Sequence, residues 1–224
     1  MSIIQTFINV VLHLDKYLNV IIQNYGIWTY AIVFLIIFCE TGLVVTLFLP
    51  GDSILFATGA LASIGSLNFP TLFITFFIAA VAGDTVNYHI GKNIGNKILE
   101  KEDMKYINKE YLEESHKFYQ KHGSMTIVLG RFIPIIRTFV PFVAGIGEMS
   151  YPKFISYNML GGFSWVTLML GGGYFFGGLP FIKDHFSYVV IAIIIISIIP
   201  AIVTIIKEKK NGGNKINDVI NTES

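Results

Sequence analysis

Charged residues are scarce in this chain of 224 residues, which has 14% Asp, Glu, Lys and Arg against 53% hydrophobic residues. A soluble domain usually carries about 25% charged residues, so this deficit and a mean hydropathy of +0.63 predict an integral membrane protein. The formal net charge of +1 gives no reason to expect a nucleic-acid partner. The single cysteine, Cys39, excludes an internal disulfide.

The first 25 residues lack a basic start and a small-residue cleavage site, so we expect no cleaved signal peptide. Apolar residues recur there at helical spacing, with polar residues between them. This pattern favours an amphipathic helix in the membrane interface over residues 1–25, although a spanning helix is the alternative.

Three later segments, 70–90, 154–179 and 186–206, are long and apolar enough for spanning helices, which need about 20 residues. Between the first two lies a polar connector, 92–123, with seven lysines against six acidic residues. The positive-inside rule predicts that this connector and the lysine-rich tail, 207–224, are cytoplasmic.

Two further apolar segments are interrupted where a spanning helix would be continuous. Residues 27–65 are too long for one span and contain Pro50-Gly51-Asp52 near their middle. Residues 124–149 contain Pro134 and Pro141, and a proline breaks or kinks a helix interior. We predict two re-entrant helical hairpins, which a membrane tolerates where protein or water surrounds the bent backbone.

The two halves of the chain repeat a pattern. Phe48-Leu49-Pro50 matches Phe132-Ile133-Pro134, and each following span has a tyrosine three residues before a glycine. The spans run in opposite directions, so the repeat is inverted, unless the motifs recur by chance in a biased composition. The predicted fold is an all-α polytopic membrane domain over 26–206, with repeats at about 27–91 and 124–179. Broken helices at matching positions of an inverted repeat indicate a transporter's midplane site.

Four charged residues lie inside the interrupted segments: Glu40 and Asp52 in the first, and the chain's two arginines, Arg131 and Arg137, in the second. Each costs about 2.5–3.5 kcal/mol at mid-membrane when unpaired. One interpretation is that buried salt bridges of Glu40 and Asp52 with the two arginines only fix the packing. Such pairs add little stability, so binding of an ion or substrate explains the charges better. The arginine fork fits phosphate or carboxylate oxygens.

Other polar residues carry less weight. Asp84 lies near the end of the 70–90 segment, where it either caps or solvates the helix or takes part in function. Tyr151, Tyr157 and Trp165 are expected to anchor helices at the interface. No spacing of His, Cys and carboxylates indicates a metal site. A lipid phosphatase would need a histidine near the arginines or a serine in a Gly-x-Ser-x-Gly motif, and the sequence has neither. We expect no metal, no cofactor and no enzymatic activity.

Three strings of this sequence resemble the DedA family, also called SNARE-associated or VTT-domain proteins: Glu40-Thr41-Gly42, Phe48-Leu49-Pro50-Gly51-Asp52 and Gly130-Arg131-Phe132-Ile133-Pro134-Ile135-Ile136-Arg137-Thr138. The resemblance covers roughly residues 10–206. It implies a multi-pass bacterial inner-membrane protein with two facing re-entrant hairpins. The family's membrane-embedded acids fall on Glu40 and Asp52, and its arginines on Arg131 and Arg137.

The resemblance also implies transport, because characterised members recycle undecaprenyl phosphate for cell-envelope synthesis. We hypothesise that Arg131 and Arg137 hold the phosphate of a polyprenyl-phosphate lipid while Glu40 and Asp52 exchange protons. The secondary site candidates are Asp84 and the bend residues Pro50, Gly51 and Pro134. The alternatives are a proton-coupled cation or drug antiporter that maintains the proton motive force, and a phospholipid scramblase. The expected partners are the lipid, protons and the membrane, and a homodimer is compatible with the sequence.

Overall fold

A computed structural model of the protein describes residues 24–43, 51–99, 120, 122–147, 149–177 and 179. Within these ranges every regular element is helical, which confirms the predicted all-α class. The α-helices are α1 (Trp28–Gly42), α2 (Gly51–Ser63), α3 (Phe69–Leu99), α4 (Thr126–Gly130), α5 (Pro134–Ile146) and α6 (Tyr151–Gly177), and a 3₁₀ turn at Gly123–Met125 precedes α4.

Two of these helices are long and apolar enough to cross a membrane. They are the Phe69–Asn93 part of α3, with 25 residues, and the whole of α6, with 27 residues. At 1.5 Å per residue each is about 37–40 Å long, which exceeds the ~30 Å hydrocarbon core. Both match predicted spans. Helix α3 continues to Leu99, however, so the predicted connector does not begin at residue 92 as irregular chain.

Several predicted segments lie outside the described residues. They are nearly all of the N-terminal helix (1–25), most of the connector, the last span (186–206) and the tail (207–224). The predicted domain boundaries there stay predictions.

The turn between α2 and α3 is built by local hydrogen bonds. Gly65 has a φ of 82°, a conformation that favours glycine, and the Ser66 N–H donates to the Leu61 carbonyl at 3.0 Å. This is the glycine C-cap of α2. The Asn68 side-chain oxygen then accepts from the Thr71 N–H at 3.0 Å and caps α3, whose first turn contains Pro70 as predicted.

The second interrupted segment breaks at one proline. Helix α4 ends at Gly130, Ile133 is extended (φ −117°, ψ 106°), and Pro134 begins α5. The residue before a proline avoids the helical region, which explains the break. Pro141 lies inside α5, where the helix continues despite the missing N–H donor. The break is therefore confirmed at Pro134 but not at Pro141, and the re-entrant path of the chain stays a prediction.

The short helices that follow the breaks pack on the long helix of the opposite half: α2 lies mainly on α6, and α5 mainly on α3. Glycines allow both contacts. A Cβ at Gly59 or Gly173 would collide with backbone across the α2–α6 contact, and one at Gly91 or Gly145 across the α3–α5 contact. Small residues bring membrane helices close together in this way. Each short helix therefore packs on the long helix of the other half, which agrees with the predicted internal repeat.

Large apolar side chains cover the outer faces of the two long helices. The exposed ones include Ile74, Ile78, Phe163, Leu168 and Phe175. Three polar side chains of the same helices, Asp84, Asn87 and Asn158, are buried, whereas Lys92 and Lys153 are exposed. Polar groups inside and apolar groups outside suit a lipid solvent.

Candidate functional site

The guanidinium of Arg137 lies between two carboxylates. Its Nη1 donates to Asp52 Oδ1 at 2.8 Å, and its Nη2 donates to Glu40 Oε1. Glu40 is near the end of α1, Asp52 is in the first turn of α2, and Arg137 is in the first turn after the break that precedes α5. The exposed side-chain fractions are 9% for Arg137, 3% for Glu40 and 14% for Asp52. One arginine therefore joins three helices at the breaks of both halves.

Gly51 makes room for this arrangement. A Cβ at Gly51 would overlap the carboxylate of Glu40, so only glycine lets that carboxylate reach the start of α2. The first turn of α2 also contains Asp52, and a carboxylate is favoured at a helix N-terminus. Of the other bend residues, Pro134 forms the first turn of α5, whereas Pro50 lies outside the described residues.

Trp165 of α6 also contacts the Arg137 guanidinium. The arginine Cζ lies 5.0 Å from the centroid of the indole ring, which is a cation–π contact. The indole Nε1 donates to Asp52 Oδ1 at 2.9 Å. Trp165 is 1% exposed, so the prediction that it anchors a helix at the interface is wrong. The physical reason is that its N–H finds a buried carboxylate partner. Arg137, Glu40, Asp52 and Trp165 are called the Arg137 cluster below.

Arg131 belongs to a second set of contacts. Its Nη2 donates to Asp84 of α3 and to Asn158 of α6, and it also approaches the Ala80 carbonyl at 3.4 Å. The Asn158 side chain in turn donates to the Val81 carbonyl at 3.1 Å. Arg131, Asp84 and Asn158, called the Arg131 cluster below, thus connect the helix break to both long helices.

Asp84 does not cap or solvate a helix end. It lies in the middle of α3, which runs from residue 69 to residue 99, and its side chain is 5% exposed. The expectation of a helix-end position is wrong because α3 continues past the residues predicted to end it. Asp84 instead supplies the carboxylate that pairs with Arg131.

The two acids of the first half were predicted to pair with both arginines. In the structure Glu40 and Asp52 both pair with Arg137, and Arg131 pairs with Asp84 instead. The turn of Pro134 separates the arginines, so that Arg137 meets α1 and α2 while Arg131 meets α3 and α6. Spacing along the chain could not show this.

Asn87 connects the helices around the clusters. Its Nδ2 donates to the Thr138 carbonyl at 2.7 Å and approaches the Thr41 carbonyl at 3.4 Å, so α3 holds the end of α1 near α5. Neither Asn87 nor Asn158 was singled out from the sequence. Both are amides inside apolar spans, and the rule that flagged the charged residues applies to them as well.

The charges of the two clusters do not cancel. Glu40, Asp52 and Asp84 are the acidic residues in the described part of the chain, and each pairs with an arginine. With all groups ionised, three carboxylates and two guanidinium groups give these two clusters together a formal charge of −1. A proton or another cation bound there would bring that formal charge to zero. The described residues hold no group of His, Cys, Asp and Glu arranged for a metal ion.

The sequence matches the VTT domain over residues 49–175, which include Asp52, both arginines and Trp165. The chain belongs to the VTT-domain, or DedA, family. It is 48% identical to Protein DedA of Escherichia coli (strain K12) over 212 residues, which cover 94% of this chain and 97% of that protein. No solved structure matches the chain significantly.

Other DedA-family relatives are named as membrane proteins. Inner membrane protein YqjA of Escherichia coli (strain K12) is 32% identical over 151 residues, which cover 67% of this chain and 69% of YqjA. A membrane protein of Mycobacterium leprae is 40% identical over 168 residues, 75% of each chain. The family and the two long apolar helices identify this chain as a multi-pass inner-membrane protein, as the sequence predicted.

Proposed function

We propose that this protein is a proton-coupled transporter that carries a polyprenyl-phosphate lipid, undecaprenyl phosphate, across the inner membrane for cell-envelope synthesis. The observation that supports this most is the buried guanidinium of Arg137, held between Glu40 and Asp52 where two helices begin after breaks. Broken helices of this kind form substrate sites in transporters.

An anionic head group suits Arg137. A guanidinium binds phosphate oxygens through two parallel N–H groups. The Nε donor of Arg137 is buried and has no acceptor among the described residues. A buried donor without an acceptor is costly, and a phosphate oxygen would satisfy it. The polyprenyl tail would stay in the bilayer, where the outer faces of α3 and α6 are apolar.

Proton coupling follows from competition for one guanidinium. A phosphate can replace a carboxylate on Arg137 only if that carboxylate gives up its contact. A proton bound to Glu40 or Asp52 removes its negative charge and weakens that contact, which leaves an Nη donor for the phosphate. Loss of the proton on the other side of the membrane restores the carboxylate and expels the lipid. No bond other than the carboxyl O–H forms or breaks, so the proposal involves no enzymatic step.

A proton-coupled cation or drug antiporter is the second candidate. The observation that favours it is the excess of carboxylates over arginines in the two clusters, because one negative charge attracts a cation. A scramblase of phospholipids would use the same arginine with a different lipid.

The test is uptake of undecaprenyl phosphate by proteoliposomes, with and without an imposed pH gradient, comparing the wild type with Arg137→Ala. The proposal expects uptake that the gradient stimulates and that the substitution abolishes. A folded wild type that moves protons against cations but carries no lipid would support the antiporter instead. Uptake of glycerophospholipids at the same rate, independent of the gradient, would support the scramblase.

A further inference from the structure

We propose that Asn87 is a positioning residue: it holds the backbone that carries Glu40 against the backbone that carries Arg137, and so sets how well Arg137 binds the phosphate. This inference rests on the proposed function and gives a role in it to an uncharged residue of α3.

The amide of Asn87 contacts the residues that directly follow Glu40 and Arg137 in the chain. Its Nδ2 donates to the Thr138 carbonyl at 2.7 Å and approaches the Thr41 carbonyl at 3.4 Å. Asn87 is 0% exposed, so bulk water does not compete for these contacts. One side chain therefore ties together the backbones of the two partners in the Glu40–Arg137 ion pair.

Two glycines of α3 flank Asn87 at a spacing of four residues, Gly83 before it and Gly91 after it. Residues four apart lie on the same face of a helix. A Cβ at Gly83 would collide with the end of α1, and a Cβ at Gly91 would collide with the Phe142 backbone of α5. Helix α3 thus approaches α1 on one side of Asn87 and α5 on the other, and the amide lies between these two close contacts.

The other half of the chain packs without such an amide. Asn87 precedes Tyr88, and the residue that precedes the matching Tyr174 is Gly173. Gly173 brings α6 against α2 through close backbone contact, because a Cβ there would collide with the Phe56 carbonyl. A long helix can therefore pack on a short one with glycine at this position. The amide is present only in the half where it lies beside the ion pair.

The proposed exchange of a carboxylate for a phosphate depends on this geometry. A guanidinium binds a phosphate through two parallel N–H groups, which requires that Arg137 stays in place when Glu40 releases it. Asn87 contacts main-chain carbonyls, whose charge does not change when Glu40 binds a proton. The amide therefore holds the backbone of Arg137 throughout the exchange.

The first test is a double-mutant cycle on thermal stability in detergent, which needs no lipid. Asn87→Ala and Asn87→Leu both remove the amide, and leucine keeps the volume. Each should lower the Tm of the wild type, and should lower the Tm of Glu40→Gln/Arg137→Gln, which lacks the ion pair, by about half as much or less. Thr85→Val is the control. It removes a hydrogen bond within α3 and should lower the Tm equally in both backgrounds.

An Asn87 variant that folds only in the background without the ion pair would also support the inference. Equal Tm losses in the two backgrounds, or failure of both Asn87 variants to fold in either background, would overturn it, because the amide would then serve packing alone.

The second test measures the KM for undecaprenyl phosphate in proteoliposomes. Asn87→Ala should raise this KM about fivefold in the wild type, the effect of one lost hydrogen bond. The rise should be less than about twofold in Arg137→Lys, which already lacks the planar fork. Thr85→Val should leave the KM unchanged in both backgrounds. An unchanged KM in Asn87→Ala, or the same rise in both backgrounds, would overturn the inference.

The two tests separate this inference from the proposed function. If the wild type carries no undecaprenyl phosphate while the Tm cycle still shows coupling, the lipid substrate is wrong and the role of Asn87 in placing the ion pair stands. If wild-type uptake is proton-coupled while both cycles are additive, the proposed function stands and the inference fails.

Discussion

The two arginines lie six positions apart yet sit in different surroundings. Arg131 has one acid and one amide as partners, which gives a neutral pair enclosed by the long helices α3 and α6. Arg137 has two acids, which gives an excess negative charge beside the breaks of both halves. The Arg131 pair is neutral, whereas the Arg137 cluster has one carboxylate more than it has guanidinium groups. We therefore propose the Arg137 cluster as the transport site and the Arg131 cluster as a support of the second break.

The glycines next to the two clusters also make room for different groups. Gly161 leaves space for the Arg131 side chain against α6, where a Cβ would lie 3.0 Å from the arginine Cδ. Helix α6 therefore leaves room for the aliphatic part of the Arg131 side chain. Around Arg137 the space is made at Gly51, next to the head of Glu40, the group that would release a proton.

The largest expected effect is at Arg137. Arg137→Gln takes the guanidinium away from the buried Glu40 and the partly buried Asp52. Truncating a buried charge pair costs about 2–5 kcal/mol, so uptake falls by about a hundredfold or more. Adding Glu40→Gln removes one of the two carboxylates but does not restore the guanidinium that would bind the phosphate, so the double variant stays inactive. Size-exclusion chromatography checks folding. Restored uptake in Glu40→Gln/Arg137→Gln would mean that this cluster only supports the fold.

The Arg131 cluster should behave in the opposite way. Removing one partner of a buried pair costs about 3–5 kcal/mol, so Asp84→Asn and Arg131→Gln each lower the yield and thermal stability of folded protein. The combined variant replaces the pair with neutral groups that can still hydrogen-bond to Asn158. Stability and uptake per folded molecule should largely return. If the double variant folds but does not transport, Arg131 binds the phosphate, as the sequence predicted.

Lysine substitutions test whether each arginine acts through its planar guanidinium or only through its charge. Lysine keeps the charge and loses the planar fork. We expect Arg137→Lys to raise the KM for the lipid by about tenfold, the effect of one lost charge-assisted hydrogen bond. Arg131→Lys should leave the KM unchanged. Equal KM values for Arg137→Lys and the wild type would exclude recognition through the fork.

The smallest expected effect is at Gly51. A methyl group there pushes the Glu40 carboxylate away from α2, and the flexible end of that side chain can give way, so we expect only a few-fold loss of uptake, about 1 kcal/mol. Gly171→Ala is the matched control, because a Cβ at Gly171 meets no atom within 4 Å. Similar losses in both variants would show that Glu40 does not depend on this close approach.

The sequence predicted much of the fold because membrane insertion leaves strong one-dimensional signals. The long apolar helices, the start of α3 near residue 70 and the break at Pro134 all follow from local chemistry. The continuation of α3 to Leu99 did not follow, because nothing in its polar sequence distinguishes a helical end from irregular chain.

The candidate site was only partly predictable. The cost of buried charge singled out Glu40, Asp52, Arg131 and Arg137, and the structure places all four in ion pairs, with Asp52 the least buried of them. Which acid meets which arginine depends on how the short helices α2 and α5 pack on the long helices of the opposite halves, which the sequence does not show. Trp165 was missed for a related reason, since an aromatic residue in a span looks like an anchor until its N–H is seen to reach a carboxylate.

The most direct test follows lipid and protons together in the same proteoliposomes, with a short-lived pH gradient, an internal pH dye and undecaprenyl phosphate as the only substrate. We predict a proton flux that requires the lipid, keeps a fixed ratio to the lipid moved, and vanishes in Arg137→Ala. A proton flux that continues at full rate without lipid and responds to added cations would contradict it, and would reassign the Arg137 cluster to cation exchange.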